Sequence, residues 1–357
     1  MRVNGTVVGL ALAAVVALAP AAARPTPTSD ERPPIERRDA FFDAAGVDGD
    51  TLVAVGKFGK IVRSEDGGRE WSIVPSGVAR PLFGVAFPTA DHGVIVGAGG
   101  TVLVSADRGR TWTPRPIGVD RQLFTVRFVD ARRGFIAGEF GTLLATQDAG
   151  EHWTRIEIDW EKALPQLVDM LGLVEPHLYD VTFCDATHGW VVGEYGLVFS
   201  TEDEGRTWQK RRGGGLFDRH LFAVACGGEG RVVAAGQGGE IVFSPDGGAT
   251  WEREQSPRAL DVYDIVRLNS GELLAVGDLG TVLRSPEGGK TGTWTVADPD
   301  DEPGGPHIGR VWVAKAVSIP PNLLVLGEGG IHRLELKRIV GRPGRTSARI
   351  SGREHAL

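Results

Sequence analysis

The sequence is poor in cysteine, with only Cys184 and Cys226 among 357 residues. It contains no phosphate-binding loop, no dinucleotide-binding glycine motif and no Cys/His spacing of the kind found in zinc fingers. Residues 337–357 carry six Lys/Arg and one Glu, so the rest of the chain is more acidic than the formal net charge of −7 indicates. We therefore expect no cofactor, no metal and no nucleic-acid partner.

Glycine, in contrast, is abundant, with 51 residues, and part of it recurs in a repeat. Each of seven units ends an apolar run with a glycine that is followed three residues later by another. The pairs are Gly56/Gly59, Gly97/Gly100, Gly138/Gly141, Gly193/Gly196, Gly236/Gly239, Gly277/Gly280 and Gly327/Gly330. The predominant interval, about 41 residues, predicts an array of four-stranded units. Such a pair permits positive φ in a tight turn.

A second motif, Ser/Thr-x-Asp-x-Gly-x-x-Trp, follows the glycine pair in five units. Its aspartates are Asp66, Asp107, Asp148, Asp203 and Asp246, and its tryptophans are Trp71, Trp112, Trp153, Trp208 and Trp251, with Trp294 ending a degenerate sixth copy. The carboxylate is expected to accept N–H bonds in its own turn, and the indole to be buried between sheets. We interpret these residues as structural.

These motifs resemble the Asp-box (BNR) propellers, and among them the photosystem II stability/assembly factors. The nearest match lies in Leu123–Gly141 and Leu178–Gly196, and the resemblance extends from about Phe41 to Leu336. It implies an all-β fold: a seven-bladed β-propeller of four-stranded antiparallel blades with Asp-box turns and one short helical insertion. Because propellers have unrelated activities, the resemblance is more specific for fold than for function.

The ends of the chain differ from the repeat. Residues 1–23 have the charged start, short apolar run and small final residues of a signal peptide cleaved near Ala23, which predicts a periplasmic protein. Residues 24–38 form a linker or closing strand, 39–336 form the propeller, and 337–357 form a basic tail expected to be disordered. Peripheral membrane association through this tail is an alternative role for it.

Two further departures lie within the repeat. The seventh unit has no Asp box, so we expect its outer strand to be missing and the segment around residues 34–38 to supply it, which would close the ring. An insertion, 159–177, has Leu164, Leu167, Val168 and Leu171 at helical spacing and predicts a short amphipathic helix. Whether this insertion contacts a partner is left open.

Binding is expected on the face that carries the insertion and the Gly-x-x-Gly turns. Four turns place a carboxylate there, and basic residues precede several inner strands. The candidate partner-binding residues are Glu139, Glu194, Asp278, Glu328, Arg80, Arg121, His177, Arg219, His220 and His307. Such a surface suits a polypeptide or polar ligand. The alternative is that these turns are polar because they are solvated. The three histidines come from different blades, so a shared metal ion is not expected.

An Asp-box enzyme of the sialidase or another glycoside-active class is the alternative function. A sialidase resemblance would require an Arg-Ile/Leu-Pro motif, which the chain lacks, and the chain has only three tyrosines. Carboxylates such as Glu139 and Glu194 remain a candidate pair for glycoside hydrolysis, which needs about 5 to 10 Å between the two groups. Nothing in the sequence requires this activity.

Cys184 and Cys226 both end the first strand of consecutive units. Side chains along a strand point alternately to the two faces of its sheet. Counted from Leu178 and Leu221, this alternation places the two cysteines on opposite faces of their own sheets, so the two sulfurs could meet between blades. A disulfide and a pair of buried free thiols are both compatible with this count.

The preferred interpretation is an exported, monomeric, non-catalytic assembly platform. The resemblance implies that it holds a membrane-protein complex during biogenesis, as photosystem II assembly factors do, with Arg80, Arg121 and Arg219 as contacts. In a non-photosynthetic host, the partner is expected to be an envelope or transporter complex.

Overall fold

The computed structural model describes residues 34–36, 38–172, 174–215, 218–297 and 311–340. Seven antiparallel sheets are formed in chain order. Blade 1 has β1 (Phe41–Asp48), β2 (Thr51–Gly56), β3 (Ile61–Ser64) and β4 (Ser72–Val74), and blade 2 has β5 (Leu82–Ala86), β6 (Gly93–Gly97), β7 (Val102–Ser105) and β8 (Thr113–Pro114). Blade 3 has β9 (Leu123–Phe128), β10 (Gly134–Gly138), β11 (Leu143–Thr146) and β12 (Thr154–Arg155).

The short helices α1 (Trp160–Ala163) and α2 (Pro165–Leu171) precede blade 4, which has β13 (Leu178–Phe183), β14 (Gly189–Gly193), β15 (Val198–Thr201) and β16 (Gln209–Arg212). Blade 5 has β17 (Leu221–Gly228), β18 (Arg231–Gly236), β19 (Glu240–Ser244) and β20 (Glu252–Gln255). Blade 6 has β21 (Val262–Arg267), β22 (Leu273–Gly277), β23 (Val282–Ser285) and β24 (Thr295–Val296). Blade 7 has β25 (Val313–Ile319), β26 (Asn322–Gly327) and β27 (Gly330–Glu335), followed by α3 (Leu336–Val340).

The first strand of every blade lies innermost. Each contacts the first strand of the next blade, and β25 of blade 7 contacts β1 of blade 1, which closes the ring. The second strands are buried along their length because a blade packs against neighbours on both faces. The core therefore consists of apolar layers between adjacent sheets. The predicted seven-bladed propeller is confirmed.

The two glycines of each pair serve different purposes. The second has a positive φ, as expected, for example 70° at Gly59 and 63° at Gly141. The first is extended, so only the second glycine of each pair uses the positive φ that the pair permits. At Gly56, a Cβ would collide with the carbonyl oxygen of Ala40, which accepts a hydrogen bond from Lys57 N at 3.0 Å. The first glycine thus lets the turn approach the residue before the inner strand.

The Asp-box turns have the predicted internal hydrogen bonds. In blade 4, Thr201 Oγ1 donates to Asp203 Oδ1 at 2.8 Å and accepts from Gly205 N at 2.9 Å. The backbone N–H of Thr207, together with its hydroxyl, donates to the Asp203 carboxylate and holds its pKa at about 2. Trp208 Nε1 donates to Gly205 O at 3.1 Å.

The tryptophans of the boxes lie between neighbouring blades. Trp112 and Trp294 are buried, and Trp71, Trp153, Trp208 and Trp251 are half-buried. The degenerate sixth turn keeps the bond from Gly289 N to Ser285 Oγ, while Thr293 Oγ1 occupies the place of the carboxylate partner.

Blade 7 has three strands in the described part of the chain, so its outer strand is missing as expected. The described residues of the predicted closing segment do not form that strand. Instead, Ala40 makes an isolated bridge with Glu328, Gly329 N donates to Asp39 O at 3.0 Å, and Ile35 packs beside Gly330. These contacts lie at the turn between β26 and β27, and residues 24–33 and 37 of the predicted closing segment lie outside the described residues.

The insertion contains the predicted helix. Leu164 precedes α2, Leu167 lies within it, and both are buried with Trp160 in the core between blades 3 and 4. Trp160 packs over Gly141 and against Phe199, with ring centroids 5.7 Å apart. The insertion is therefore fixed to the third Gly-x-x-Gly turn. None of the helices in the described ranges has the length and apolarity needed to cross a bilayer.

The remaining expectations concern the cysteines and the chain ends. Cys184 and Cys226 form a disulfide between blades 4 and 5, with Cα atoms 5.5 Å apart. Of the two alternatives, the disulfide is therefore present and the pair of free thiols is not. Residues 337–340 of the predicted tail belong to α3, and 341–357 lie outside the described residues, as do 1–23 and 24–33.

Candidate functional site

We define the loop face as the end of the propeller formed by the Gly-x-x-Gly turns and the connections between blades. Among the described residues, six large apolar side chains are exposed, and five of them lie on this face. These five are Phe58, Phe140 and Leu279, each at positive φ inside a turn, and Met170 and Leu171 on α2. Exposed apolar side chains concentrated on one face are typical of an interaction surface.

The carboxylates on the loop face are engaged by the protein itself. Glu139 accepts hydrogen bonds from Gln122 N at 3.0 Å and from Gln122 Nε2 at 2.7 Å. Glu194 accepts from His177 N at 2.9 Å, and Asp278 accepts from the Tyr263 hydroxyl at 3.1 Å. These three side chains hold the start of the inner strand of their own blade.

Glu328 is the exception among the four carboxylates. Its side chain is exposed, and its contact with Ala40 is through the backbone.

The histidines on this face connect neighbouring blades. His177 Nδ1 accepts from Phe140 N at 3.2 Å, and His220 Nδ1 accepts from Tyr195 N at 3.0 Å. In both cases, a histidine that directly precedes an inner strand accepts a hydrogen bond from a backbone N–H in the Gly-x-x-Gly turn of the preceding blade. They therefore have a structural role that their position in the sequence did not reveal. His307 lies outside the described residues.

The arginines are held differently. Arg80 Nη1 donates to Gly99 O at 3.2 Å, and Arg219 Nη1 donates to Gly238 O at 3.1 Å. The Arg121 guanidinium lies 4.9 Å from the centre of the Phe140 ring. Across the described ranges, none of these three cations is in an ion pair. Their charges are therefore available to a partner, whereas most of the carboxylates are committed within the fold.

At the centre of this face, the inner strands form a mouth lined with aromatic rings. Each inner strand has a register shift that makes its second residue a bulge, as between Phe41 and Asp43. The bulged residues are Phe42, Phe83, Phe124, Tyr179, Phe222, Tyr263 and Ala314. Consecutive rings from Phe42 to Tyr263 have centroids 5.2 to 6.1 Å apart. We call these six residues the aromatic ring.

The sequence analysis missed the aromatic ring. The available signal was an aromatic residue directly after the first apolar residue of six inner strands.

Charged side chains form the floor beneath the aromatic ring. Arg127 Nη1 donates to Asp43 Oδ2 at 3.2 Å and lies 3.9 Å from Asp180 Oδ1 through Nη2, while Lys315 Nζ donates to Asp264 Oδ1 at 2.7 Å. Burial raises the pKa of Asp180, and the charges of Arg127 and Lys315 oppose that rise. Burial disfavours the charge of Arg127, but the carboxylates outweigh it and raise the pKa of its guanidinium. The positive charges of Arg127 and Lys315 therefore neutralise most of the negative charge of the three aspartates in the floor.

The three aspartates of the floor also connect blades through the backbone. Their Oδ2 atoms accept from the N–H of Val85, Val224 and Ala316 on the next inner strand, at 3.0 to 3.1 Å. Each aspartate therefore couples two neighbouring inner strands.

Together, the glycine turns, the Asp boxes and the blade order define the class of the protein: an Asp-box β-propeller. The profile of the photosynthesis system II assembly factor YCF48 family matches residues 69–172 and 167–299. The chain belongs to this family. A comparison with curated proteins gave no match.

Several solved structures have a similar fold. A structure described as YCF48 bound to D1 peptide is 19% identical, with a TM-score of 0.64, and the alignment covers 85% of this chain and 96% of that one. YCF48 from Cyanidioschyzon merolae is 16% identical, with a TM-score of 0.65 and coverages of 84% and 96%. The GH74 xyloglucanase from Xanthomonas campestris is 17% identical, with a TM-score of 0.62 and coverages of 85% and 53%. At these identities, the similarities show the fold alone.

Proposed function

We propose that the chain is a non-catalytic platform that holds a membrane-protein complex during assembly through its loop face. The observation that carries this proposal is the charge asymmetry of that face. Arg80, Arg121 and Arg219 have no ion pair in the described structure, whereas Glu139 and Glu194 are occupied. Unpaired cations beside exposed apolar side chains suit a protein partner with acidic groups.

Family membership supports the same function. A YCF48 structure is described with a D1 peptide bound, so a relative with this fold binds a polypeptide. In a photosynthetic host, we infer a photosystem II intermediate as the partner. In a non-photosynthetic host, we infer an envelope or transporter complex.

The location is part of the proposal. We infer export by residues 1–23, cleavage near Ala23 and a monomer in the periplasm, with the basic residues of 337–357 available for peripheral membrane contact. Sequencing the N-terminus of the protein recovered from periplasmic extracts tests this directly. The expected first residue is Arg24, and an uncleaved N-terminus would contradict the inferred export.

The experiment that tests the platform function is affinity capture from the membranes of the source organism, followed by mass spectrometry. Wild-type protein is compared with the double variant Arg121→Glu/Arg219→Glu. The matched control is Arg69→Glu/Arg132→Glu, because these two exposed arginines donate to backbone carbonyls, as Arg219 does, but lie at the opposite end of the propeller, where the Asp-box turns are. The expected result is a specific membrane-complex subunit that is retained by wild type and control and lost with the loop-face variant.

Equal recovery with the loop-face variant would contradict the role of these arginines, and the absence of any specific protein would contradict the platform function. Exposed turn substitutions change stability by less than about 0.5 kcal/mol, so unfolding is not expected to explain a loss.

Glycoside hydrolysis, the alternative function, finds less support. An acid and a nucleophile or base must both have oxygens free to act on the sugar. Glu139 uses both carboxylate oxygens in hydrogen bonds to Gln122, and Glu194 uses one to hold His177 N. Turnover of xyloglucan or a sialyl substrate that is lost in Glu194→Gln would reverse this preference.

A further inference from the structure

The aromatic ring surrounds the axis of the propeller at one level. Its six side chains and Ala314 occupy the seven equivalent bulge positions around the axis. Neighbouring centroids are 5.2 to 6.1 Å apart, so the six rings form a nearly continuous aromatic wall. Such a wall offers apolar contact to a side chain that enters from the loop face.

The fold does not require aromatic residues at these positions. In blade 7, the same bulge holds Ala314, and the strand pairing is the same as in the other blades. The residues on either side of each ring residue are buried, for example Phe41 and Asp43 around Phe42. The six aromatic side chains themselves are only half-buried and keep part of their surface in solvent. A cluster of apolar side chains that remains exposed to solvent is typical of a binding site.

The charges around the mouth restrict what it can accept. On the side of blades 1 to 3, the rim carries Lys57, Arg80 and Arg121, and none of them is in an ion pair among the described residues. The hydroxyls of Tyr179 and Tyr263 stay neutral because burial raises their pKa. On this side of the mouth, an acidic segment with one apolar side chain complements both the three cations and the aromatic ring.

We propose that the aromatic ring is the anchor site for one aromatic or long aliphatic side chain of an extended partner segment, whose neighbouring acidic residues pair with Arg80 and Arg121. This inference rests on the proposed function and names the chemistry that the loop face recognises. Such an anchor, enclosed by aromatic walls and excluded from water, has the properties of an interface hot spot.

Peptide selection on the full-length protein tests this inference. The probe is a random-sequence peptide library displayed on phage, and selected peptides are then synthesised with a fluorescent label. The expected peptides share an aromatic or long aliphatic residue flanked by Asp or Glu, and Phe124→Ala weakens their binding about tenfold or more. The matched control is Phe128→Ala, because Phe128 is also half-buried on β9 but lies at its Asp-box end.

A second variant changes the site without removing an aromatic residue. Ala314→Phe completes the ring and narrows the mouth, so it is expected to weaken the same peptides while the thermal unfolding midpoint stays close to wild type. Selection of basic peptides, no shared residue pattern, or equal binding to wild type and Phe124→Ala would overturn the proposal.

The two proposals can fail separately. If membrane capture depends on Arg121 and Arg219 but not on Phe124, the platform function stands and the anchor site is wrong.

Discussion

The guanidinium of Arg127 on the inner strand of blade 3 donates to the carboxylate of Asp43 on the inner strand of blade 1, with Nη1 and Oδ2 3.2 Å apart. Blade 2 lies between these two strands, and Asp43 Oδ2 also accepts from Val85 N on its inner strand. Arg127 also lies beside Asp180 of blade 4. One cation therefore connects the inner strands of three blades through the centre of the ring.

Arg127→Ala is expected to lower the free energy of unfolding by about 2 to 3 kcal/mol, because it leaves the buried carboxylate of Asp43 without its charged partner. Urea unfolding followed by tryptophan fluorescence measures this. Arg132→Ala removes an exposed arginine of the same blade and is expected to change stability by less than about 0.5 kcal/mol. Equal effects of the two substitutions would show that the central charge contact contributes nothing.

Asp180→Asn is expected to alter the dependence of stability on pH. Burial raises the pKa of Asp180 above its ordinary value of 3.8, so the unfolded chain releases this proton at lower pH than the folded protein. The wild type therefore loses stability as pH rises from 3.8 through the higher folded pKa. The asparagine variant keeps an acceptor for Val224 N–H and lacks this decline. Unfolding free energies between pH 4 and 8 measure the difference in slope.

The control for that measurement is Asp203→Asn, where the sign is opposite. The Thr207 N–H and hydroxyl depress the folded pKa of Asp203 to about 2, so its contribution is present above 3.8 and is lost as pH falls through 2. The variant is expected to be less stable than wild type at pH 7, and the difference should shrink in acid. Parallel pH profiles for wild type and Asp180→Asn would contradict the assignment of a raised pKa.

Removing the disulfide is expected to lower stability substantially. Cys184 and Cys226 are 42 residues apart, and closing a loop of that length stabilises a protein by about 4 kcal/mol in the chain-entropy model. Cys184→Ser/Cys226→Ser should therefore unfold at a lower urea concentration than the oxidised wild type. Reduced wild type should match the double variant, and identical midpoints in all three samples would contradict a stabilising role.

The sequence predicted those features that depend on spacing. The glycine pairs and Asp boxes indicated seven blades, and counting from Leu178 and Leu221 allowed the cysteines to meet. That count holds because β13 and β17 have the same bulge, so their relative alternation is unchanged.

The loop face could not be predicted in the same way. A bulge places two residues opposite one, so strict alternation cannot show where the aromatic side chain at the second position points. The roles of Glu139 and His177 depend on contacts between a turn and an inner strand, which the sequence does not encode as a spacing.

The tryptophans of the Asp boxes should differ in their contribution to stability according to their burial. Trp112 is buried between blades 1 and 2, with its ring 5.9 Å from Phe87, and Trp112→Ala is expected to cost about 3 to 5 kcal/mol through the cavity it leaves. Trp251 has the same bond from Nε1 to its box glycine but is only half-buried, so Trp251→Ala should cost about 2 kcal/mol. Urea unfolding of both variants followed by circular dichroism gives the comparison. If the two losses were equal, the hydrogen bond common to both residues, rather than burial between blades, would determine the contribution of the box tryptophan.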